Sequence, residues 1–425
     1  MNYMKKTYYL FSQYTGPEEK LVGSFFAKIS ETSSVGNSVG YLSFLLQENI
    51  ITFNLWSESK YKGYKYLNKL TRKELYQKAA LLVEDFNKYE EANYLFYENT
   101  PELVKKMYPD LRLLEDDRKK IIHLQLIMAY LSPQNNIYKY RESSTFGELL
   151  KDPMKSKITG DCNQIVTLYI YFYSLKFDIT DLKLGVSPGH VALHFNGLDI
   201  EATTGQFVNK QNKNTSLLPI YEIASINLLD ITDSYFKTHK IDSLCLLQVA
   251  RFAYIISSQR NIVAKNLEIA YRDVVAERLQ ANDYSSTIAY AKKSGNKKLL
   301  NFAAQQSVDY YLRVNNFGLA NKYTQYVSDH GKDLRERVTR AEGVYFYNKG
   351  NYEQAIVIFK RLKEPELIRK CYIAMFEKER NNLGKVTTVD DIRNKKNIIQ
   401  KMSTYANKSN DKALIKYTDY LKKYL

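Results

Sequence analysis

The sequence contains few cysteines, and they lie far apart. There are three, Cys162, Cys245 and Cys371. An odd number of widely separated cysteines argues against a disulfide framework and is typical of a reducing compartment. The sequence has no CxxC pair and no cluster of histidine with cysteine, so we expect no metal site and no cofactor. These absences favour a cytoplasmic protein.

Long apolar runs are also missing. The first residues, MNYMKKTYYLFSQYTG, carry two lysines but no apolar segment of signal-peptide length, and no run approaches the length of a membrane span. We therefore expect neither a signal peptide nor a transmembrane helix. With 44% apolar residues, 8 prolines and 17 glycines in 425 residues, the chain can bury sizeable cores. Its length predicts two to three domains.

Net positive charge is nearly absent from the first half of the chain and concentrated in the second. The formal net charge is +16, and from residue 240 onward 34 lysines and arginines stand against 19 aspartates and glutamates. Such an excess could attract an acidic protein, a nucleic acid or an anionic surface. The simpler interpretation, which we prefer, is a solvated basic face on a helical domain. No recognised nucleic-acid motif is present, so we do not expect nucleic-acid binding.

The last third of the chain is repetitive. Three segments align on an aromatic residue, Tyr284, Phe317 and Tyr352, and this spacing is that of a two-helix repeat of about 34 residues. The third residue after each aromatic is small, which would let two helices approach closely: Thr287, Ala320 and Ala355.

The last copy, AEGVYFYNKGNYEQAIVIFKRL, resembles a tetratricopeptide repeat (TPR). The resemblance implies an all-α solenoid that binds a protein or peptide partner, and the basic charge favours an acidic one. In this part of the chain Cys245 and Cys371 are interpreted as buried structural thiols. A final helical pair is predicted near 388–425, where Thr388 and Asp391 fit a helix N-cap followed by an acid.

The first part of the chain is less regular. Residues 1–60 are compatible with strands or with short helices. Helices are predicted for 71–97 and 116–131, and His123 lies within the apolar run of the second, where packing is its expected role.

The segment ITGDCNQIVTLYIYFY contains Cys162 at the start of an apolar run. Periodicity alone does not separate a buried helix from a buried strand, but the Gly160-Asp161 lead favours a helix with Asp161 as its N-cap. A cysteine in the first turn of a helix lies at the positive end of the macrodipole, which favours its thiolate. Cys162 is thus either a buried structural thiol or a nucleophile.

A hairpin is predicted about thirty residues later, where HVALHF and LDIEAT flank Asn196-Gly197. A two-residue turn places His194 opposite Asp199 and His190 diagonal to Glu201, all on one strand face. Two sets of Cys, His and carboxylate are therefore possible. They are Cys162–His190–Glu201 and Cys162–His194–Asp199.

The same segment resembles the transglutaminase-like superfamily, a branch of the papain-like cysteine enzymes, over roughly residues 116–210. The matching residues are Gly160-Asp161-Cys162 at a helix start, Gly189-His190 at a strand start, and Glu201 on the next strand. The resemblance implies Cys162 as nucleophile, His190 as general base and acid, and Glu201 as the orienting carboxylate. The family usually has Asp in place of Glu201, and Asp199 is the alternative acid.

An oxyanion hole is also implied. The backbone N–H of Cys162 is a natural donor, whereas the second donor is not identified. Ser156 stands where papain-like proteases often have glutamine, and Gln164 is a residue that could line the cleft.

Together these patterns predict an α+β protein, in which a transglutaminase-like helix-plus-antiparallel-sheet domain precedes a TPR-like helical solenoid. The predicted function is that of a cysteine enzyme acting on amide bonds, either a peptidase or amide hydrolase or an acyl-transfer enzyme. The alternative is a non-catalytic scaffold that keeps the fold for protein binding. The predicted divisions are a mostly helical region at 1–110, the transglutaminase-like domain at 111–235 and the repeats at 236–425.

Overall fold

The computed structural model describes residues 9, 11–29, 35–142, 144–208, 215–231, 234–328 and 331–425. The chain forms two compact units, Met1–Val274 and Val275–Leu425. The architecture is α+β, as predicted: a small antiparallel sheet lies within the largely helical first unit, and the described part of the second unit is helical. No described helix is both long and apolar enough to cross a membrane. The division at 110 and 235 stays a prediction.

Most described residues before position 61 are helical, and none of them forms a strand. Their apolar side chains point inward over more than one face, and Phe53 and Trp56 are almost fully buried. Such all-round burial hides the helical period, so the sequence alone left the choice open. The first five helices are α1 (Pro17–Lys28), α2 (Val35–Lys60, kinked at Asn49), α3 (Lys69–Tyr97), α4 (Thr100–Met107) and α5 (Glu115–Tyr130).

A buried ion pair joins α1 to α3. The guanidinium of Arg72 donates from Nε to Glu19 Oε1 at 2.7 Å and from Nη2 to Glu19 Oε2 at 3.1 Å. Tyr76 also donates its hydroxyl to Glu19 Oε1 at 2.8 Å, and Arg72 Nη1 donates to the Leu67 carbonyl at 2.8 Å. Both charges are therefore held by several partners away from water.

The hairpin predicted from Asn196-Gly197 is present in the predicted register. His194 pairs with Asp199 and Phe195 pairs with Leu198, while both turn residues have positive φ, as a tight two-residue turn requires. The strands are β1 (Tyr138–Tyr140), β2 (Ile158–Gly160), β3 (Leu182–Ser187), β4 (His190–Phe195), β5 (Leu198–Glu201), β6 (Gln206–Val208) and β7 (Ser216–Pro219).

Strands β3 to β7 form one antiparallel sheet in the order β6-β5-β4-β3-β7, and β1 pairs with β2 in parallel. The apolar face of β4 and β5 is buried in the core of the first unit, together with the helix that begins at Cys162. The remaining helices that begin in this unit are α6 (Phe146–Leu149), α7 (Cys162–Ser174), α8 (Glu222–Leu229), α9 (Ser234–Thr238), α10 (Ser243–Ile256) and α11 (Arg260–Gln280).

His123 is a packed residue, as predicted. It is 2% exposed, its Nδ1 lies 2.7 Å from Glu90 Oε1, and its Nε2 lies 3.1 Å from the Phe172 carbonyl oxygen. Lys176 also binds Glu90, at 2.6 Å. The cluster ties α3 and α5 to α7 and leaves this imidazole no opening for chemistry.

The second unit is built from antiparallel helical pairs. Each repeat aromatic, Tyr284, Phe317 and Tyr352, is the first residue of a helix, and the small residue three positions later is fully buried. Its helices are α12 (Tyr284–Lys293), α13 (Lys297–Arg313), α14 (Phe317–Thr324), α15 (Gly331–Asn348), α16 (Tyr352–Arg361), α17 (Pro365–Leu383), α18 (Val389–Asn394), α19 (Lys396–Ser409) and α20 (Lys412–Lys422).

Close helix contacts in this unit depend on small residues. A Cβ placed on Gly343 of α15 would lie 2.5 Å from the Phe359 ring of α16, so only glycine permits this approach.

Two further predictions for the last part of the chain can be compared with the structure. The predicted N-cap at Thr388 forms, because the Asp391 N–H donates to Thr388 Oγ1 at 3.1 Å. Cys371 is fully buried, whereas Cys245 in the first unit is only half-buried, so the prediction of two buried thiols is right for one.

Candidate active site

Cys162 is the first residue of helix α7, as the sequence predicted. The Asp161 carboxylate accepts the N–H of Gln164 at 3.2 Å, and the Gln164 side-chain oxygen accepts the N–H of Asp161 at 3.4 Å. This reciprocal cap starts the helix at Cys162. The parallel strands β1 and β2 fix the preceding residues, since the Tyr138 hydroxyl and the Arg141 N–H both donate to the Gly160 carbonyl.

The surroundings of Cys162 disfavour its thiolate. Burial raises its pKa and outweighs the backbone N–H groups of Val191, Asn163 and Cys162 itself, which lower it; the Asp161 charge raises it further. The helix N-terminus argument from the sequence is therefore overturned by desolvation, which the sequence does not show. A thiol in this state needs a base to accept its proton before it can attack.

His190 is the candidate general base, and the Glu201 carboxylate holds its imidazole in place. His190 Nε2 lies 2.7 Å from Glu201 Oε2, and the second Glu201 oxygen accepts the N–H of Thr203 at 3.2 Å and its hydroxyl. An ionised carboxylate only accepts, so the pairing places the imidazole proton on Nε2 and leaves the Nδ1 lone pair to receive another. The His190 side chain is 38% exposed, which gives it access to a substrate.

The alternative pair, His194 and Asp199, serves the hairpin instead. His194 Nδ1 lies 2.7 Å from Asp199 Oδ1, and its Nε2 accepts the N–H of Gly197 at 3.1 Å. Both ring nitrogens are thus occupied within the turn that they close. The structure provides no free nitrogen on His194 for proton transfer with Cys162.

Cys162 and His190 line one open cleft of about 360 Å³. In the part of the chain that the structure describes, no hydrogen bond joins the Cys162 sulfur to the imidazole of His190. The two groups share a space into which a substrate carbonyl could enter, and they do not form an ion pair at rest. The cleft walls are mainly aliphatic: Val186, Val191, Leu218, Ile226, Leu229 and Val263.

The structure also corrects the expected role of Gln164. Its side chain is 3% exposed, and besides capping α7 it donates from Nε2 to the Ser144 carbonyl at 2.5 Å. It does not line the cleft. Its spacing from Asp161 matches the capping pattern, so the sequence did contain the signal for this structural role.

Three polar residues on the cleft were not identified from the sequence. Asn163 donates to Asp230 Oδ2 at 3.1 Å and to Asn227 Oδ1 at 3.0 Å, which places the Asp230 carboxylate close to the residue after the nucleophile. Ser225 also lines the cleft; it is 3% exposed, and its hydroxyl has no hydrogen-bond partner among the described residues. Ser225 and Asp230 come from α8 and its C-terminal end, more than sixty residues beyond Cys162, so no local pattern could connect them to Asn163, which directly follows Cys162 on α7.

The described residues contain no group of three or more His, Cys, Asp or Glu side chains placed to hold a metal ion. The cleft brings together a thiol, an imidazole and carboxylates. A half-buried thiol that shares a cleft with a carboxylate-held imidazole can carry out nucleophilic attack assisted by a base.

We expect iodoacetamide to alkylate Cys162 more slowly than glutathione at about pH 8, because burial raises the pKa of this thiol and only the thiolate reacts. The rate should keep rising into the alkaline range after the glutathione rate has levelled. Peptide mass spectrometry can follow each cysteine separately. Cys371 is the internal control, because burial raises its pKa to about 11 and it should react last. Faster labelling of Cys162 than of glutathione at about pH 6 would contradict this.

Comparisons with known proteins assign this chain to no family. No family model matches the chain, and no curated protein matches it. The interpretation of the cleft consequently depends on its own side chains and on the sequence motifs that they form.

Proposed function

We propose that this chain is a transglutaminase-like cysteine enzyme that acts on amide bonds through a thioester on Cys162. The observation that carries the proposal is the His190–Glu201 pair, which leaves His190 Nδ1 available on the cleft that Cys162 lines. The predicted Glu201 in place of the family's Asp fits this role, since its carboxylate reaches His190 Nε2 at 2.7 Å.

In the proposed reaction, His190 Nδ1 accepts the Cys162 proton while the sulfur attacks the carbonyl carbon of the amide. Glu201 stabilises the imidazolium that results, and the backbone N–H of Cys162 at the helix start donates to the oxyanion. Collapse of the tetrahedral intermediate breaks the C–N bond, and His190 returns the proton to the departing amine. Water or a second amine then attacks the thioester, which regenerates the thiol and gives hydrolysis or acyl transfer.

The helical pairs of the second unit support a TPR-like role in partner binding. Their repeat aromatics begin helices at the expected spacing, and the small residues that follow are buried at helix contacts. We propose that these pairs dock a protein or peptide, as repeats of this kind do. The charge excess after residue 240 favours an acidic partner.

One observation favours the non-catalytic alternative. Burial raises the pKa of Cys162, which disfavours the thiolate that many cysteine enzymes hold ready. A scaffold that retains the transglutaminase-like fold for binding would need no such thiolate. The two proposals differ in whether an acyl group can be transferred to Cys162.

4-Nitrophenyl acetate distinguishes them, because a nucleophilic Cys162 takes its acetyl group and releases nitrophenolate. We expect a burst of nitrophenolate that approaches one equivalent per chain, with the acetyl group located on Cys162 by mass spectrometry. Cys162→Ala should abolish the burst, and Cys371→Ala is the matched control. A burst of the same size in Cys162→Ala, or none in the wild-type protein, would favour the scaffold.

A further inference from the structure

The backbone N–H of Val191 lies beyond the end of the ladder that joins β4 to β5. The last pair of this ladder, counted from the turn, is Leu193 with Ile200. The chain bends away from β4 after Glu201, because the Glu201 carbonyl accepts the N–H of Gly205 at 2.9 Å. In the described register, Val191 therefore has no partner on β5.

The alternation of an antiparallel ladder gives the direction of the Val191 N–H. A two-residue turn at Pro188-Gly189 joins β3 to β4 and makes Ser187 and His190 a hydrogen-bonded pair. The next pair, Val186 and Val191, is then a non-hydrogen-bonded one. The N–H of Val191 consequently points away from β3, to the side of the sheet on which β5 lies.

On that side, the Val191 N–H meets the nucleophile. It donates to the sulfur of Cys162, as do the N–H groups of Cys162 and Asn163 at the start of α7. Val191, Cys162 and His190 also line the same cleft. Backbone donors from two different elements thus converge on the atom that would attack a substrate.

This convergence matters most when the sulfur attacks a carbonyl. Negative charge then develops on the oxygen of the carbon that the sulfur joins, one atom away from the sulfur itself. A thiol sulfur is a weak hydrogen-bond acceptor, whereas an oxyanion is a strong one. An N–H group that lies at the sulfur can therefore transfer its hydrogen bond to the oxyanion with little movement. A sheet and a helix hold these donors in place before the reaction, which is what an oxyanion hole requires.

We propose that the backbone N–H of Val191 is the second donor of the oxyanion hole and acts together with the N–H of Cys162. This inference rests on the proposed function, because an oxyanion forms only if Cys162 attacks a carbonyl. The N–H of Asn163 comes from the same helical turn as that of Cys162, whereas Val191 closes the site from a second element. Adjacent residues of β4 then divide the work: His190 carries the proton, and Val191 binds the developing charge.

An ester in place of the amide before Val191 tests the proposal, because it removes this N–H and keeps the side chain. The α-hydroxy analogue of valine is placed at position 191 of the full chain by stop-codon suppression. Two rates are measured at one pH: the burst with 4-nitrophenyl acetate, which passes through an oxyanion, and alkylation by iodoacetamide, which does not. The alkylation rate corrects for any change in the reactivity of the sulfur. We expect the burst rate divided by the alkylation rate to fall about a hundredfold, the effect of losing one oxyanion donor.

The same exchange at Leu193 is the matched control. Leu193 lies on the same strand and pairs with Ile200 within the ladder, so its ester should lower the stability to urea and leave the ratio unchanged. An unchanged ratio in the Val191 ester would overturn the proposal, while the burst would still support the enzyme. If the wild-type chain gives no burst, the proposed function fails and this donor fails with it.

A measurement on the unaltered chain decides the question if the ester variant does not fold. Acetaldehyde adds to a thiol: the sulfur bonds to the carbonyl carbon, and the thiol proton passes to the oxygen. In NMR spectra of protein with isotope-labelled valine, the Val191 amide proton should move downfield when this adduct forms on Cys162, because its oxygen is a stronger acceptor than the thiol. Val191→Ile identifies the signal. The iodoacetamide product, with no oxygen on the carbon bonded to sulfur, is the control. The same Val191 signal in the two products would overturn the proposal.

Discussion

His190→Ala is expected to slow the acylation of Cys162 by about a thousandfold, within the range that a positioned general base contributes. Burial raises the pKa of the Cys162 thiol, so the reaction depends on a group that accepts its proton. His190 can do so because Glu201 holds its Nε2 at 2.7 Å and leaves Nδ1 free of that contact. The burst rate with 4-nitrophenyl acetate measures the effect directly.

His194→Ala is the matched control, since the two histidines lie on the same face of β4. His194 is 8% exposed, and both of its ring nitrogens are bonded within the hairpin. Its loss should lower the free energy of unfolding by about 1–3 kcal/mol, because the Gly197 N–H and the Asp199 carboxylate lose a buried partner. The burst rate per folded molecule should stay near the wild-type value. If His194→Ala slowed the burst and His190→Ala only lowered the stability, His190 would not be the general base.

Arg72→Met is expected to cost about 3–5 kcal/mol in the free energy of unfolding of the first unit, the range found when one partner of a buried pair is removed. The side chains of Arg72 and Glu19 are 5% and 1% exposed, so Glu19 would keep its charge without its main counter-charge. The Leu67 carbonyl would also lose its donor from Arg72. Methionine has a similar length, which keeps the cavity small.

Urea unfolding followed by circular dichroism measures this cost. Arg118→Met is the control, because Arg118 and Glu102 form an ion pair whose side chains are 40% and 56% exposed. An exposed pair of this kind contributes about 0–1 kcal/mol. If both variants lost a similar amount of unfolding free energy, the burial of the Arg72–Glu19 pair would not be the cause of its contribution to stability.

Several parts of the site were predictable from the sequence because they depend on neighbours along the chain. Asn196-Gly197 fixed the turn, and the two-residue period of the strands then fixed which side chains share a face with His190 and Glu201. Asp161 and Gln164 fixed the start of helix α7 in the same local way. The repeat aromatics predicted helix starts at Tyr284, Phe317 and Tyr352, since each position follows a turn.

Other parts depended on residues that are distant in sequence. The helices before residue 61 are buried on several faces, and such burial removes the periodicity by which a helix is identified. The helix start alone favoured a thiolate at Cys162, yet the surrounding core removes water from the sulfur and raises its pKa. Gln164 lies two residues after Cys162 in the sequence, and its side chain was therefore expected to be able to line the cleft. In the fold this side chain points inward and donates to the Ser144 carbonyl.

The sequence by itself determined the hairpin, the helix that starts at Cys162 and two histidine–carboxylate pairs on one strand face, because interactions between near neighbours specify all of these. The resemblance to the transglutaminase-like superfamily favoured His190 with Glu201, and the tertiary structure shows how the two pairs differ physically. It closes the turn with both nitrogens of His194 and opens His190 to the cleft. It also brings α8 and α11 to the cleft that Cys162 lines. Burial and cavities arise from the packing of distant segments, and no local pattern of residues encodes where those segments meet.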